Sequence, residues 1–293
     1  MPIIVENLTH IYNKGLAYET VAVSDVSFEI ADGEYVAIIG HTGSGKSTLI
    51  QHLNGLIKPT SGKVMIGDTD ITVKGAKAIE TRRKIGMVFQ YPEYQLFEET
   101  VYKDIAFGPK NLGIPDEEID ERVREAMNLV DVDFAEFSER TPFELSGGQK
   151  RKIAIAGVIA MRPEVLILDE PTAGLDPRSH SDILSMISDI HQKTNCTIIL
   201  VSHNMDDVAM LADRVLVMSE GCLVKNNLPV EVFADDEYIK SIGLGIPHAR
   251  DFSNKLEKKG IKLGENILTI DDLFASIESY KKNADCAGES LND

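Results

Sequence analysis

The sequence contains no tryptophan and only three cysteines among its 293 residues. It is also short of cations, with 30 Lys and Arg against 47 Asp and Glu and a net charge of −17. Each shortage excludes something. Cys196, Cys222 and Cys286 form an odd set with no CxxC pair and no Cys/His cluster. That argues against a disulfide framework or a structural zinc site, and for a reducing compartment. A strongly acidic surface repels phosphate backbones, so no nucleic-acid partner is expected. A mononucleotide is a different matter, because clustered backbone N–H groups and one lysine outweigh a distant field. No apolar run reaches the roughly 18 residues that a membrane-spanning helix needs. The opening MPIIVENLTH lacks the basic start and apolar stretch of a signal peptide. The chain is therefore expected to be soluble, with any membrane role left to partner chains.

Hydrophobic residues make up 43% of the chain, enough for a sizeable core. Ile3–Leu8 and Val21–Ile30 read as strands with partial alternation, and Glu34–Ile39 as a short buried strand. A helix is expected from about Gly45 through Leu56, a turn at Gly67–Asp70 and a buried strand at Ile85–Phe89. From Tyr91 to Arg162 the pattern is helical. Pro115 suits a first helical position, followed by Asp116, Glu117 and Glu118 where the helix dipole favours acids. A second helix should begin near Ser146 and stop before Pro163. Val165–Leu168 and Thr197–Val201 are apolar runs separated by an amphipathic helix over Arg178–Gln192, and Arg214–Met218 adds a strand before a hairpin-like turn at Glu220–Gly221. Strand–helix–strand repetition implies right-handed crossovers and an α/β fold with a doubly wound core. After Leu228 short helices are expected to start at Pro229 and Pro247, with Phe252 and Leu256 on one apolar face. Thr269 should cap a last helix carrying Leu273, Phe274 and Ile277. The expected division is a core over 1–227 with a helical subdomain at about 91–162, a helical extension over 228–282, and a polar, disordered tail over 283–293.

Four phrases carry the chemistry. The run Gly40, His41, Thr42, Gly43, Ser44, Gly45, Lys46, Ser47 fits G-x4-GK[ST] between an apolar strand and a helix that continues with Thr48. Its glycines let successive N–H groups face phosphate, and the helix start adds a positive dipole end. Lys46 is expected on the β- and γ-phosphates and the Ser47 hydroxyl on magnesium. VLILDEP places Asp169 and Glu170 at the C-terminal end of a buried strand, where open α/β sheets bind ligands. Neighbouring strand residues face opposite ways, so the two acids divide the work. Asp169 helps hold magnesium, and Glu170 is the candidate base for the attacking water. Alone, this pair could simply cap a strand. LSGGQ at Leu145–Gln149 opens a helix on uncovered N–H groups of Ser146, Gly147 and Gly148, a second anion site. Composition alone would produce that phrase about once in 2,000 chains of this length. His203 closes the apolar strand TIILVSH, a place where histidine is often only structural.

With LSGGQ lying between the phosphate loop and DEP, the chain resembles the nucleotide-binding subunits of ABC transporters from Ile3 to about Val224. The resemblance implies a P-loop ABC ATPase core with a mixed or parallel sheet, flanking helices and a helical subdomain. It implies two ATPs with Mg2+ buried between two head-to-tail subunits. The signature of one subunit, Ser146 to Gln149, closes on ATP held by the other. Gln90 matches the glutamine that senses magnesium and water, Asp176 lies in the loop that crosses the dimer interface, and His203 matches the histidine that touches the γ-phosphate. Tyr12 matches the aromatic residue that stacks on adenine, with Tyr18 as a nearby competitor.

The stretch Gln90–Gly113 further resembles the ATPases of energy-coupling factor transporters, importers of vitamins and transition metals. His41-Thr42 is similar to the second of their two paralogous ATPases. That implies a heterodimer with the paralogue on the cytoplasmic face of the membrane, under a transmembrane coupling subunit that exchanges substrate-binding membrane subunits. Tyr91–Phe107 would line the groove for coupling helices, or pack the subdomain. The C-terminal region resembles a small helical extension that joins ATPase dimer contacts. Competing readings are an ATPase of a conventional importer fed by a binding protein, and a non-transport ABC protein.

Overall fold

The structure is a computed structural model, and it describes residues 1–264 and 266–286. The strands are β1 (Ile3–Tyr12), β2 (Thr20–Ile30), β3 (Tyr35–Gly40), β4 (Ser61–Ile66), β5 (Thr69–Asp70), β6 (Ile85–Val88), β7 (Val165–Asp169), β8 (Thr197–Val201), β9 (Arg214–Ser219) and β10 (Cys222–Asn227). They form two sheets. One is antiparallel, in the order β2-β1-β4-β5. The other has the order β10-β9-β3-β8-β7-β6. It is parallel throughout except for β10, which returns antiparallel along one edge.

The helices are α1 (Lys46–Leu53), α2 (Ala76–Arg82), α3 (Val101–Asn111), α4 (Asp116–Leu129), α5 (Phe134–Phe137), α6 (Gly147–Ile159), α7 (Pro177–Thr194), α8 (Met205–Leu211), α9 (Pro229–Ala234), α10 (Asp236–Ser241), α11 (His248–Glu257) and α12 (Ile270–Cys286). Helix α1 stops earlier than expected because Asn54 ends it and Gly55 turns left-handed at φ 71°. Pro115 is the cap before α4 rather than its first helical residue. Strands β4 and β5 were not legible in the sequence, β5 falling on the expected turn at Gly67–Asp70, while β10 follows the expected hairpin-like turn at Glu220–Gly221.

Period-two alternation distributes β3 and β7 between cores. Val36 and Ile38 face the antiparallel sheet with Val165 and Ile167, while Leu166 and Leu168 face the layer of α3, α4, α6 and α7. Ala37 and Ile39 meet a third cluster built from α8 and the C-terminal helices, where Val232, Phe233 and Ile239 are fully buried. The extension thus shares a core with the parallel sheet. Its outer face is different: Phe252 is 48% exposed and Phe274 65%, so the expected apolar face of α11 is only half covered. Thr269 caps α12 as expected, its hydroxyl accepting from Asp272 N at 3.2 Å while Asp272 accepts from Thr269 N at 2.9 Å. Helix α12 continues through Cys286, past the expected end at Lys282, and residues 287–293 of the expected tail lie outside the described residues.

Candidate active site

The C-terminal ends of β3, β7 and β8 open onto one cleft of about 640 Å³. Its lining includes Tyr12, Thr42, Gly43, Gly45, Lys46, Ser47, Thr48, Gln90, Asp169, Glu170 and His203. The cleft thus gathers Tyr12, Gln90 and residues from three of the four phrases, and the signature is not among them.

The phosphate loop follows from its backbone. Gly45 stands at φ 100°, and a Cβ there would meet Ala22 O at 2.4 Å, so only glycine lets the loop pass this close to β2. No side chain caps the first turn of α1, which leaves its N–H groups available to an anion. Lys46 is 6% exposed and donates to Gly40 O at 2.6 Å and His41 O at 3.1 Å. Burial lowers its pKa, and Glu170 and Asp169 oppose that shift. Ser44 is fully buried with an Oγ that has no hydrogen-bond partner among the described residues.

Asp169 and Glu170 sit at the end of β7. Burial raises the pKa of both carboxyls, with Lys46 pulling Asp169 back down. For Glu170 the value reaches about 7, within the range a general base needs. Glu170 also adopts a left-handed backbone, φ 51°, uncommon for a non-glycine residue. The His203 imidazole stands 3.3 Å from Glu170 Oε1, and burial lowers its pKa, so it is neutral at pH 7. The contact lacks the direction of a hydrogen bond, and Glu170 Oε1 is otherwise unpartnered among the described residues.

The donor set suits a hard cation. The Ser47 hydroxyl, the Gln90 amide and the Asp169 carboxylate all border the cleft, and two partly buried carboxylates there have one lysine between them for compensation. Tyr12 is 39% exposed at the rim, its OH 3.3 Å from Thr48 Oγ1 and its ring edge-on to His10. Tyr18, the competitor, is 66% exposed and does not border the cleft.

The remaining predicted residues lie elsewhere. Ser146, Gly148 and Gln149 line a different cavity, of about 240 Å³, with Lys152 and Ser179, and Gly147 is exposed beside them. Ser146 and Gln149 form a capping box: Ser146 Oγ accepts from Gln149 N at 3.3 Å and Gln149 Oε1 accepts from Ser146 N at 3.0 Å. Asp176 caps α7, accepting from Arg178 N, Ser179 N and Ser179 Oγ. Gly40 and His41 belong to the loop but not to the cleft lining.

Two features near the site carry no motif in the sequence. Thr20, Val21 and Ala22 of β2 form one wall of the cleft, with no phrase to mark them. Arg151 is 1% exposed inside the fold, paired with Glu93. It shares a helical stripe with the buried Ile155 and Ile159, and an arginine at an apolar position was the available signal.

A phosphate loop at the edge of a parallel sheet, two carboxylates on the next strand but one and a helix-opening signature held apart define an ABC-type ATPase cassette. The family model for ABC transporters matches residues 23–173. Two energy-coupling factor transporter ATP-binding proteins EcfA2 are each 56% identical to this chain: that of Clostridium tetani, covering 92% of the chain and 94% of the relative, and that of Clostridioides difficile, covering 93% and 95%. The solved structure of cbiO1 from Clostridium perfringens, part of the ABC transporter complex cbiONQ, superposes with a TM-score of 0.73 at 39% identity, covering 86% of this chain and 98% of that one. The dimeric cassette MJ0796 gives 0.68 at 27% identity, over 78% and 98%. The chain belongs to the ABC transporter family, among the ATP-binding subunits of energy-coupling factor transporters, and it is an ATPase. The conventional-importer and non-transport readings are not favoured by these relatives.

Proposed function

We propose that this subunit hydrolyses magnesium-ATP in a head-to-tail pair with a paralogous ATPase, on the cytoplasmic face of the membrane. There it drives a transmembrane coupling subunit and its exchangeable substrate-binding subunits in the uptake of vitamins or transition-metal ions. The observation that carries the pairing is the separation of the two anion sites: Ser146 to Gln149 lie outside the cleft that holds Lys46, Asp169 and Glu170. Each site lacks what the other supplies, and a second cassette turned end to end completes both.

The roles follow from position. Tyr12 stacks on adenine. Lys46 and the N–H groups of the loop and α1 hold the β- and γ-phosphates. Ser47, Asp169 and Gln90 would hold Mg2+, which supplies charge neutralisation on the phosphates when bound. Glu170 accepts a proton from water as its oxygen bonds to the γ-phosphorus, the bond to the bridging oxygen breaks, and ADP and phosphate leave. The neutral His203 orients the γ-phosphate, and the partner's signature adds N–H groups against the developing charge. Interactions made only in the closed pair bias the complex toward one state, and loss of the γ-phosphate releases it. The C-terminal extension of 228–282, beyond the 1–227 core, adds contacts between the ATPases.

The test is association. The Glu170→Gln protein, mixed with its paralogue, should form a stable pair in magnesium-ATP and separate in ADP, read by light scattering. Copurification of the wild type from membranes should bring hydrophobic partner chains. A monomer under saturating ATP, with neither itself nor the paralogue as a mate, would falsify the proposal.

A further inference from the structure

Arg151 lies on α6, the helix that the signature opens, and its guanidinium is spent in two directions. Nε and Nη2 grip the Glu93 carboxylate in a fork, with donor distances of 3.1, 2.8 and 3.0 Å. Nη1 turns the other way and donates to Pro171 O at 3.0 Å and Ala173 O at 2.8 Å.

These three partners are not incidental. Glu93 sits in the short turn Pro92–Gln95, directly after the segment of Gln90. Pro171 and Ala173 belong to the turn that begins at Glu170, closed by Ala173 N donating to Glu170 O at 3.1 Å. That turn must hold Glu170 in its left-handed conformation, which a free chain rarely adopts. Strain of this kind persists only where the surroundings over-determine it. Here one guanidinium fixes two of the carbonyls that follow Glu170. The Glu93 side chain is 17% exposed against 1% for Arg151, so the pair is shielded from screening water.

We propose that Arg151 is a positioning residue for hydrolysis. It locks the Glu170 turn to the signature helix and to the Gln90 segment, so that the base is aimed only while those three pieces keep one arrangement. The inference rests on Glu170 acting as the base. It requires arginine rather than any cation, because a lysine ammonium is a single point that cannot span the carboxylate and both carbonyls with fixed geometry.

The experiment compares Arg151→Lys, Arg151→Met and the double variant Arg151→Met/Glu93→Leu, each assembled with its paralogue and membrane partners. Removing one member leaves a buried, unpaired charge, so Arg151→Met is expected to melt lower. Removing both restores an apolar contact and is expected to recover most of that stability. Turnover should behave differently. In all three variants kcat should fall at least tenfold while the KM for ATP changes less than threefold, and the double variant should stay slow although stable. Recovery of kcat together with melting temperature in the double variant would reduce Arg151 to a structural pair and overturn the proposal. So would a Lys variant of wild-type speed. Glu170→Gln measured alongside separates the two levels. If it is inactive while the Arg151 variants run normally, only the positioning role falls. If Glu170→Gln itself turns over normally, both fall.

Discussion

Glu170 Oε1 and His203 Nε2 stand 3.3 Å apart at the mouths of β7 and β8, and burial drives their pKa values in opposite directions. The carboxyl rises to about 7 and the imidazole falls below its ordinary value. Burial therefore favours both neutral forms. A carboxylate so placed is a stronger base than an exposed one, and a neutral imidazole beside it does not quench that basicity with a fixed positive charge.

The pH profile of kcat/KM should carry one acidic limb with an apparent pKa near 7, with activity lost as Glu170 gains its proton. Burial holds the His203 pKa below its ordinary value, so His203 does not supply a limb near 7. Steady-state rates from pH 5.5 to 8.5 check this, and a flat profile down to pH 5.5 would remove Glu170 from the role of base.

Glu170→Gln should lower kcat by about 100- to 10,000-fold while ATP still binds. It should also stabilise the fold at high pH. A carboxyl raised from 4.5 to about 7 stays protonated in the folded chain while the unfolded chain ionises, so stability drops across that window and stays lower above it. The loss has a ceiling of about 3 kcal/mol. The Gln variant should therefore melt higher than wild type at pH 8, and the gap should shrink by pH 5.

Lys46→Ala should weaken ATP binding at least tenfold, equivalent to about 1.4 kcal/mol and below the range for charged hydrogen bonds. Calorimetric titration of the isolated subunit measures it. Unchanged affinity would mean that the ammonium, now donating to Gly40 O and His41 O, does not reach the nucleotide.

Ser146→Asp separates capping from phosphate recognition. Aspartate caps helices as well as serine does, so α6 and the melting temperature should be preserved. The added negative charge would face the γ-phosphate held by the mate. ATP binding by this subunit should stay normal while hydrolysis at the partner's site is lost, which a mixed pair with one disabled cleft can read. Normal hydrolysis there would remove Ser146 from the neighbouring site.

Much of this was legible in order along the chain. The phosphate loop, the DEP pair and the signature are local: their spacing sets a tight turn, a strand end and a helix start, and the backbone does what those residues permit. Partial alternation placed β1 and β2, short apolar runs placed the buried strands, and the helical stripe placed α4 and α7. Other features had no local mark. Strands β4 and β5 are held by pairing, β4 along β1 and β5 along β4. The wall at Thr20–Ala22 is a matter of which strand passes the loop. Arg151 reads as a charged residue on a helix until its fork closes on Glu93 and two carbonyls.

Sequence alone determined a phosphate-loop pattern, a strand-end acid pair and a separate helix-opening signature, because each phrase acts through its own backbone. Tertiary structure decided that Glu170 is buried enough to titrate near neutrality, that His203 stands beside it, and that the signature lines a different cavity from the cleft. Those depend on desolvation and on distances between residues far apart in the chain, and both arise only when the sheet closes and the helices cover it.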